Sequence, residues 1–120
     1  MAIPRLGFEI YRMPGVDASS VVESTLGVGY RHIDTAAVYQ SEETVGSAIG
    51  ASGLGRADLF VMTKVPHDRL GTRDTVFAAF DTSLAKLGHD FIDLFKVHWP
   101  SRARAIWCLQ SQPANGASRP

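Results

Sequence analysis

Apolar and polar positions change period several times along this chain, and each change marks an element. Residues 3–12, IPRLGFEIYR, alternate loosely, and Pro14 with Gly15 closes them as a short strand and turn. Asp17 or Ser19 then offers a side-chain oxygen to cap a helix, with Val21, Val22, Thr25 and Leu26 as its buried face. Gly27 and Gly29 end that helix, and Tyr30 to Ile33 reads as the next strand, running into Asp34, with Tyr39 in the loop beyond. A second helix begins at Ser41, where Glu42 and Glu43 suit the positive end of the helix dipole. Its apolar face is Val45, Ala48 and Ile49, and Gly50, Gly53 and Gly55 stop it.

The run LFVMTKV, residues 59–65, is apolar on both faces, as a strand in a covered parallel sheet should be. After Pro66 and Gly71, Thr72 caps a longer helix whose apolar positions are Val76, Phe77, Phe80, Leu84 and Leu87, with Gly88 at its end. FIDLFKVHW follows as the next strand, and Pro100 stops it. Strand and helix thus alternate through four strands and three helices, which predicts an α/β protein with a parallel sheet and right-handed crossovers.

Polar residues sit at the ends of those strands. Asp34, Lys64 and His98 are separated by 30 and 34 residues, close to one strand–helix unit of a (β/α)8 barrel of roughly 250 residues. Taken singly, Asp34 and Lys64 read as a structural ion pair or solvated strand ends, and His98 beside Trp99 as a core histidine. Tyr39 alone reads as a half-buried loop aromatic. Together, at the C-terminal ends of consecutive strands, the four read as one site. Asp93 lies inside the fourth predicted strand, where an acid costs stability unless paired, and is read as structural.

Composition narrows the field. Apolar residues make up 45% and charged residues 20%, and 12 basic residues balance 12 acidic ones, so no global field recruits nucleic acid or an anionic membrane. Cys108 is the single cysteine, which rules out an intrachain disulfide and suits a reducing compartment. With no signal-like N-terminus and no apolar run of about 20 residues, the expected location is cytoplasmic. His32 and Asp34 lack a third ligand at metal spacing, so no metal site is expected. Neither a G-x-G-x-x-G nor a P-loop motif occurs.

The segments LGFEIYRMPG, GYRHIDTAAVY, VMTK and VHWP, in that order, resemble the aldo-keto reductases, the bacterial 2,5-diketogluconate reductase type being similar. The resemblance covers residues 3–100, the first half of a TIM barrel. It implies NADPH-dependent reduction of an aldehyde or ketone to an alcohol. Matched position by position, it places the catalytic tetrad on Asp34, Tyr39, Lys64 and His98. It also puts Tyr11 and Asp34 toward the cofactor, and His98 and Trp99 toward the substrate. In this scheme Tyr39 donates the proton, the Lys64 ammonium stabilises its phenolate, Asp34 holds Lys64, and His98 aims the carbonyl.

The chain departs from the pattern in two places. Where the family has Gly-Thr-Tyr or a near relative, this sequence reads Glu9-Ile10-Tyr11, and an anion there is expected to oppose the cofactor's pyrophosphate. After Pro100 the alternation ends: residues 101–120 hold no acid and three arginines, show no period, and are expected to form an irregular, unrelated tail of a frame lost after Pro100. A half barrel has open sheet edges that invite self-association, and weak or absent turnover is expected. The rival readings are a non-catalytic dimerising module and a frameshifted, non-functional product.

Overall fold

The computed structural model describes residues 2–13 and 15–99, so the expected tail, with Cys108, lies outside the described residues. Four strands form one parallel sheet in the order β1-β2-β3-β4: β1 (Phe8–Glu9), β2 (His32–Asp34), β3 (Phe60–Val65) and β4 (Leu94–Val97). Helices α1 (Gly15–Gly27), α2 (Glu42–Ala51) and α3 (Arg73–Leu87) connect them. The predicted α/β alternation and parallel sheet are present, and each strand neighbours the next in sequence, as successive βαβ units require.

The core lies between the helices and one face of the sheet. Ala18, Val22 and Leu26 of α1, Val45, Ala48 and Ile49 of α2, and Leu87 of α3 pack with Ile10, Ile33, Leu59 and Val61. All six residues of β3 are buried. Period-two alternation splits them: Val61 joins the helix-side core, Thr63 bonds α2 through Glu42 at 2.7 Å, and Phe60, Met62 and Lys64 take the other face. Glu9 is in register with Asp34, and Asp34 with Met62, so Glu9 and Asp34 share the face of Lys64.

Gly46 is fixed by packing rather than by backbone freedom. A Cβ there would collide with the carbonyl of Leu87, so the close approach of α2 to the end of α3 requires glycine. α3 is capped as expected at both ends. The Thr72 hydroxyl accepts from the Thr75 N–H at 3.3 Å, and left-handed Gly88 (φ 65°) donates its N–H to the carbonyls of Leu84 and Ala85.

Several local expectations are corrected. α1 begins at Gly15, ahead of both proposed caps: Asp17 sits in its first turn, favourable to the dipole without capping, and the Ser19 hydroxyl bonds Glu23 instead. Ser41 holds the cap position of α2, yet its side chain makes no cap bond; it is buried against Thr35, oxygen to oxygen at 3.3 Å. Phe77 is 53% exposed, because at about 100° per residue Val76, Phe80, Ser83 and Leu87 form the inward stripe and Phe77 falls on its edge. β1 and β4 are shorter than the apolar runs suggested. Asp93 lies just ahead of β4, where its carboxylate takes Arg56 at 2.7 Å and the Val61 N–H at 2.8 Å, the pairing its structural role demanded.

Candidate active site

The C-terminal ends of the strands converge. Ladder hydrogen bonds run past the strand ends, Thr35 N–H to Met62 C=O at 2.9 Å and His98 N–H to Val65 C=O at 3.2 Å, and these fix where the polar residues emerge. Tyr39 ends a 3₁₀ turn, Ala37–Tyr39, and Gln40 behind it takes the left-handed conformation (φ 55°) that turns the chain into α2. That uncommon backbone angle for a non-glycine residue leaves the tyrosine ring over the strand ends.

Lys64 is the hub. Its side chain is buried, 6% exposed, and Nζ donates to Asp34 Oδ1 at 2.6 Å, to Glu9 Oε1 at 2.8 Å and to the Thr35 carbonyl at 3.2 Å. Asp34 also faces Lys96 Nζ at 3.9 Å. The Tyr39 ring lies 5.3 Å from Lys64 Nζ, and its hydroxyl donates to the same Glu9 oxygen at 2.9 Å. His98 packs edge-on against Tyr39, centroids 5.4 Å apart, and stacks on Trp99 at 5.1 Å. Tyr11 meets Tyr39 from the other side at 5.3 Å.

An open cavity of about 320 Å³ is lined by Glu9, Tyr11, Tyr39, Lys64, His98 and Trp99. Asp34 stands behind Lys64 rather than at the wall. A larger cavity, about 410 Å³, lies among Pro4, Arg5, Leu6, Val28, Gly29, Tyr30 and Arg31. It gathers no cluster of interacting titratable groups, and it sits away from the C-terminal strand ends where barrel chemistry is placed.

The structure therefore brings Asp34, Tyr39, Lys64 and His98 together, with Tyr11 and Trp99 at the mouth, half or more exposed. Two partners were missed. Lys96 was one; Glu9 was read only as a charge facing the cofactor, whereas it stands between Lys64 and Tyr39. The alternation in residues 3–12 carried the signal, since it puts Glu9 on the face of Asp34 once strands one and two are paired.

The electrostatics differ from expectation for the same reason. Burial first, then the hydrogen bond and charge of Glu9, push the Tyr39 phenol well above its ordinary value near 10. The Lys64 ammonium was expected to lower it. The bond from Lys64 holds Glu9 below the usual carboxylate range. Burial, then Lys64, lower His98 below its ordinary value, so at neutral pH it is an uncharged imidazole; its Nδ1 is buried without a partner among the described residues.

A parallel sheet of βαβ units with a lysine–aspartate–tyrosine–histidine cluster at its C-terminal rim defines part of a (β/α) oxidoreductase barrel. The Aldo/keto reductase family model matches residues 5–108, and this chain belongs to the aldo/keto reductase family. An aldo-keto reductase of Mycolicibacterium smegmatis is 43% identical over 99 residues, 82% of this chain and 36% of that protein. A glycerol 2-dehydrogenase (NADP(+)) of Saccharomyces cerevisiae is 42% identical over 100 residues, 83% of this chain and 31% of that protein. A crystal structure of a protein assigned as a 2,5-diketo-D-gluconic acid reductase B superposes with a TM-score of 0.80 at 43% identity, covering 85% of this chain and 36% of that one. The chain spans about a third of the length of the curated relatives it matches.

Proposed function

We propose that this chain carries the proton-donating centre of an NADPH-dependent carbonyl reductase, an oxidoreductase that converts an aldehyde or ketone to an alcohol. The observation that carries the reading is the buried Lys64 ammonium, bonded to Asp34 at 2.6 Å beneath Tyr39. A lysine this buried is held by its acids, and a phenol and a neutral imidazole border the same cavity.

The lining residues fit the reacting end of a nicotinamide and a carbonyl. The cavity is of ligand size, its mouth is aromatic through Tyr11 and Trp99, and the His98 imidazole lines it. Tyr11 and Asp34 are the residues nearest the cofactor in this scheme. The cofactor, when bound, supplies the hydride.

The chain's own residues do the rest. His98 orients the carbonyl oxygen and polarises it through a hydrogen bond. Tyr39 gives its phenolic proton to that oxygen as negative charge develops there. Lys64 stabilises the phenolate left behind, and Asp34 keeps Lys64 charged and aimed. The resting network works against this, since Glu9 holds both the phenol and the ammonium, and slow turnover follows.

NADPH titration of tryptophan fluorescence tests the reading, alongside turnover of short aldehydes and ketones. Saturable quenching is expected, and Tyr39→Phe should leave binding intact while reducing turnover by at least about 100-fold, the usual contribution of a general acid. Equal turnover by Tyr39→Phe would rule the role out. A second reading draws on β4 and the residues just after it, where Leu94 (37%), Val97 (50%) and Trp99 (59%) are exposed: a second copy of the chain covers this edge, and elution volume then depends on concentration.

A further inference from the structure

The proton that reduction would use is already committed. Tyr39 Oη donates to Glu9 Oε1 at 2.9 Å, and the same oxygen accepts from Lys64 Nζ at 2.8 Å. An ammonium has three N–H donors and no acceptor. Those of Lys64 go to Glu9, Asp34 and the Thr35 carbonyl, which leaves none for the phenol oxygen.

The charges around Glu9 show what its removal does. Tyr11 and Glu9 itself come from β1 and its end, Asp34 from β2, Tyr39 from the turn after it, Lys64 from β3, and Lys96 and His98 from β4 and its end. The acids Glu9 and Asp34 balance the cations Lys64 and Lys96. Without Glu9 the cluster has an excess positive charge and Lys64 has a spare donor, and both favour a phenolate at Tyr39.

We propose that Glu9 is a latch on the site: a positioning residue whose carboxylate holds the Tyr39 proton and the Lys64 ammonium apart until it is neutralised. Neutralisation adds one proton to Glu9. The Lys64 N–H that it held then turns to the Tyr39 oxygen, and the Tyr39 O–H is released toward the cavity, with no other bond made or broken. Because Lys64 depresses Glu9 below the usual carboxylate range, the latch stays shut at neutral and mildly acidic pH and opens only as pH falls through that lowered value. The inference rests on the reductase reading of the site, but it concerns the ligand-free chain.

The test is NMR titration of the full chain labelled with 13Cζ-tyrosine, whose three tyrosines give three signals; Tyr39→Phe identifies one by its loss. In the wild type the Tyr39 signal should remain that of a phenol as pH passes its ordinary value near 10. Glu9→Gly should lower the Tyr39 midpoint by at least about one pH unit. Glu9→Gln keeps an acceptor oxygen of similar shape and removes only the charge, and should lower it partway; it carries the test if the glycine variant loses signal dispersion. A Tyr39 signal that titrates at its ordinary value near 10 in the wild type, or that does not move in Glu9→Gln, overturns the latch. A Glu9-dependent midpoint in a chain that binds no NADPH would remove the reductase reading and leave the latch standing. Binding and turnover with a Glu9-independent midpoint would do the reverse.

Discussion

Two ion-paired clusters sit on the same sheet, one at each end of its strands, and they differ in stoichiometry. At the N-terminal end Arg56 bonds Asp93 at 2.7 Å, the Phe91 carbonyl at 3.0 Å and the Leu59 carbonyl at 2.8 Å, while Asp93 also takes the Val61 N–H. One cation meets one acid and the main chain takes most of the remainder, leaving the buried Arg56 Nε–H without a partner among the described residues, and the cluster pins β4 to β3. At the C-terminal end one buried ammonium meets two carboxylates, and a phenol shares an acceptor with it. There is one proton donor more than a static structure needs. The difference between the two clusters is the difference between a fastener and a site: the same pairwise physics, with a titratable group left over in one case.

The comparison breaks most visibly when each cation is removed. Lys64→Met leaves Asp34 with only the half-exposed Lys96, 3.9 Å away, as its counter-charge, removes the ammonium bonded to Glu9, and should cost about 3–5 kcal/mol of stability, read as a lower urea midpoint with unchanged slope. Arg56→Met strands an Asp93 that keeps its main-chain N–H, so a smaller loss of about 1–3 kcal/mol is expected. The two should also separate by readout: Arg56→Met should leave the Tyr39 titration where it is, because Arg56 touches nothing in the rim cluster. If Arg56→Met shifts Tyr39, or if it costs as much as Lys64→Met, the two clusters are not independent and the contrast fails.

The same contrast shows what the sequence could and could not tell. Asp34, Lys64 and His98 were legible because a strand end is a local feature, marked by the polar residue that closes an apolar run. The helix cores were legible for a similar reason, as with Val45, Ala48 and Ile49, all buried at helical spacing. Glu9 was not, because its role depends on register between strands far apart in sequence: Lys64 lies 55 positions away. Glu42 is a related case. In sequence it is a first-turn acid for the helix dipole; in the fold it is 2% exposed and bonded to Thr63. Phe77 fails in the opposite direction, since an apolar residue on the edge of a helical stripe looks inward until the sheet's position is known.

The smallest effects are in the pH dependence, where three groups of the rim cluster are shifted, and beside the Arg56 cluster only His89 is, lowered by burial and then by the Arg56 charge. A phenol raised by the fold stabilises below its ordinary value near 10 and loses that contribution as pH climbs through the raised folded value. Lowered His98 works in the other direction: the fold prefers the neutral ring, so its contribution is complete above about 6.5 and is lost as pH falls from there to the lowered folded value. Glu9 adds a further loss at lower pH, below about 4.5, because its folded value is depressed. A melting-temperature profile should therefore be flat between roughly pH 7 and 9 and fall on both sides. Each of these partly exposed groups should be worth about 2–4 °C. Tyr39→Phe should flatten the alkaline side alone, and His98→Gln should reduce the shoulder just below neutrality, of which lowered His89 supplies the rest. If both variants kept the wild-type profile, the phenol and imidazole at the rim would be electrostatically silent, and the surplus proton that distinguishes this cluster from the Arg56 fastener would have no measurable consequence.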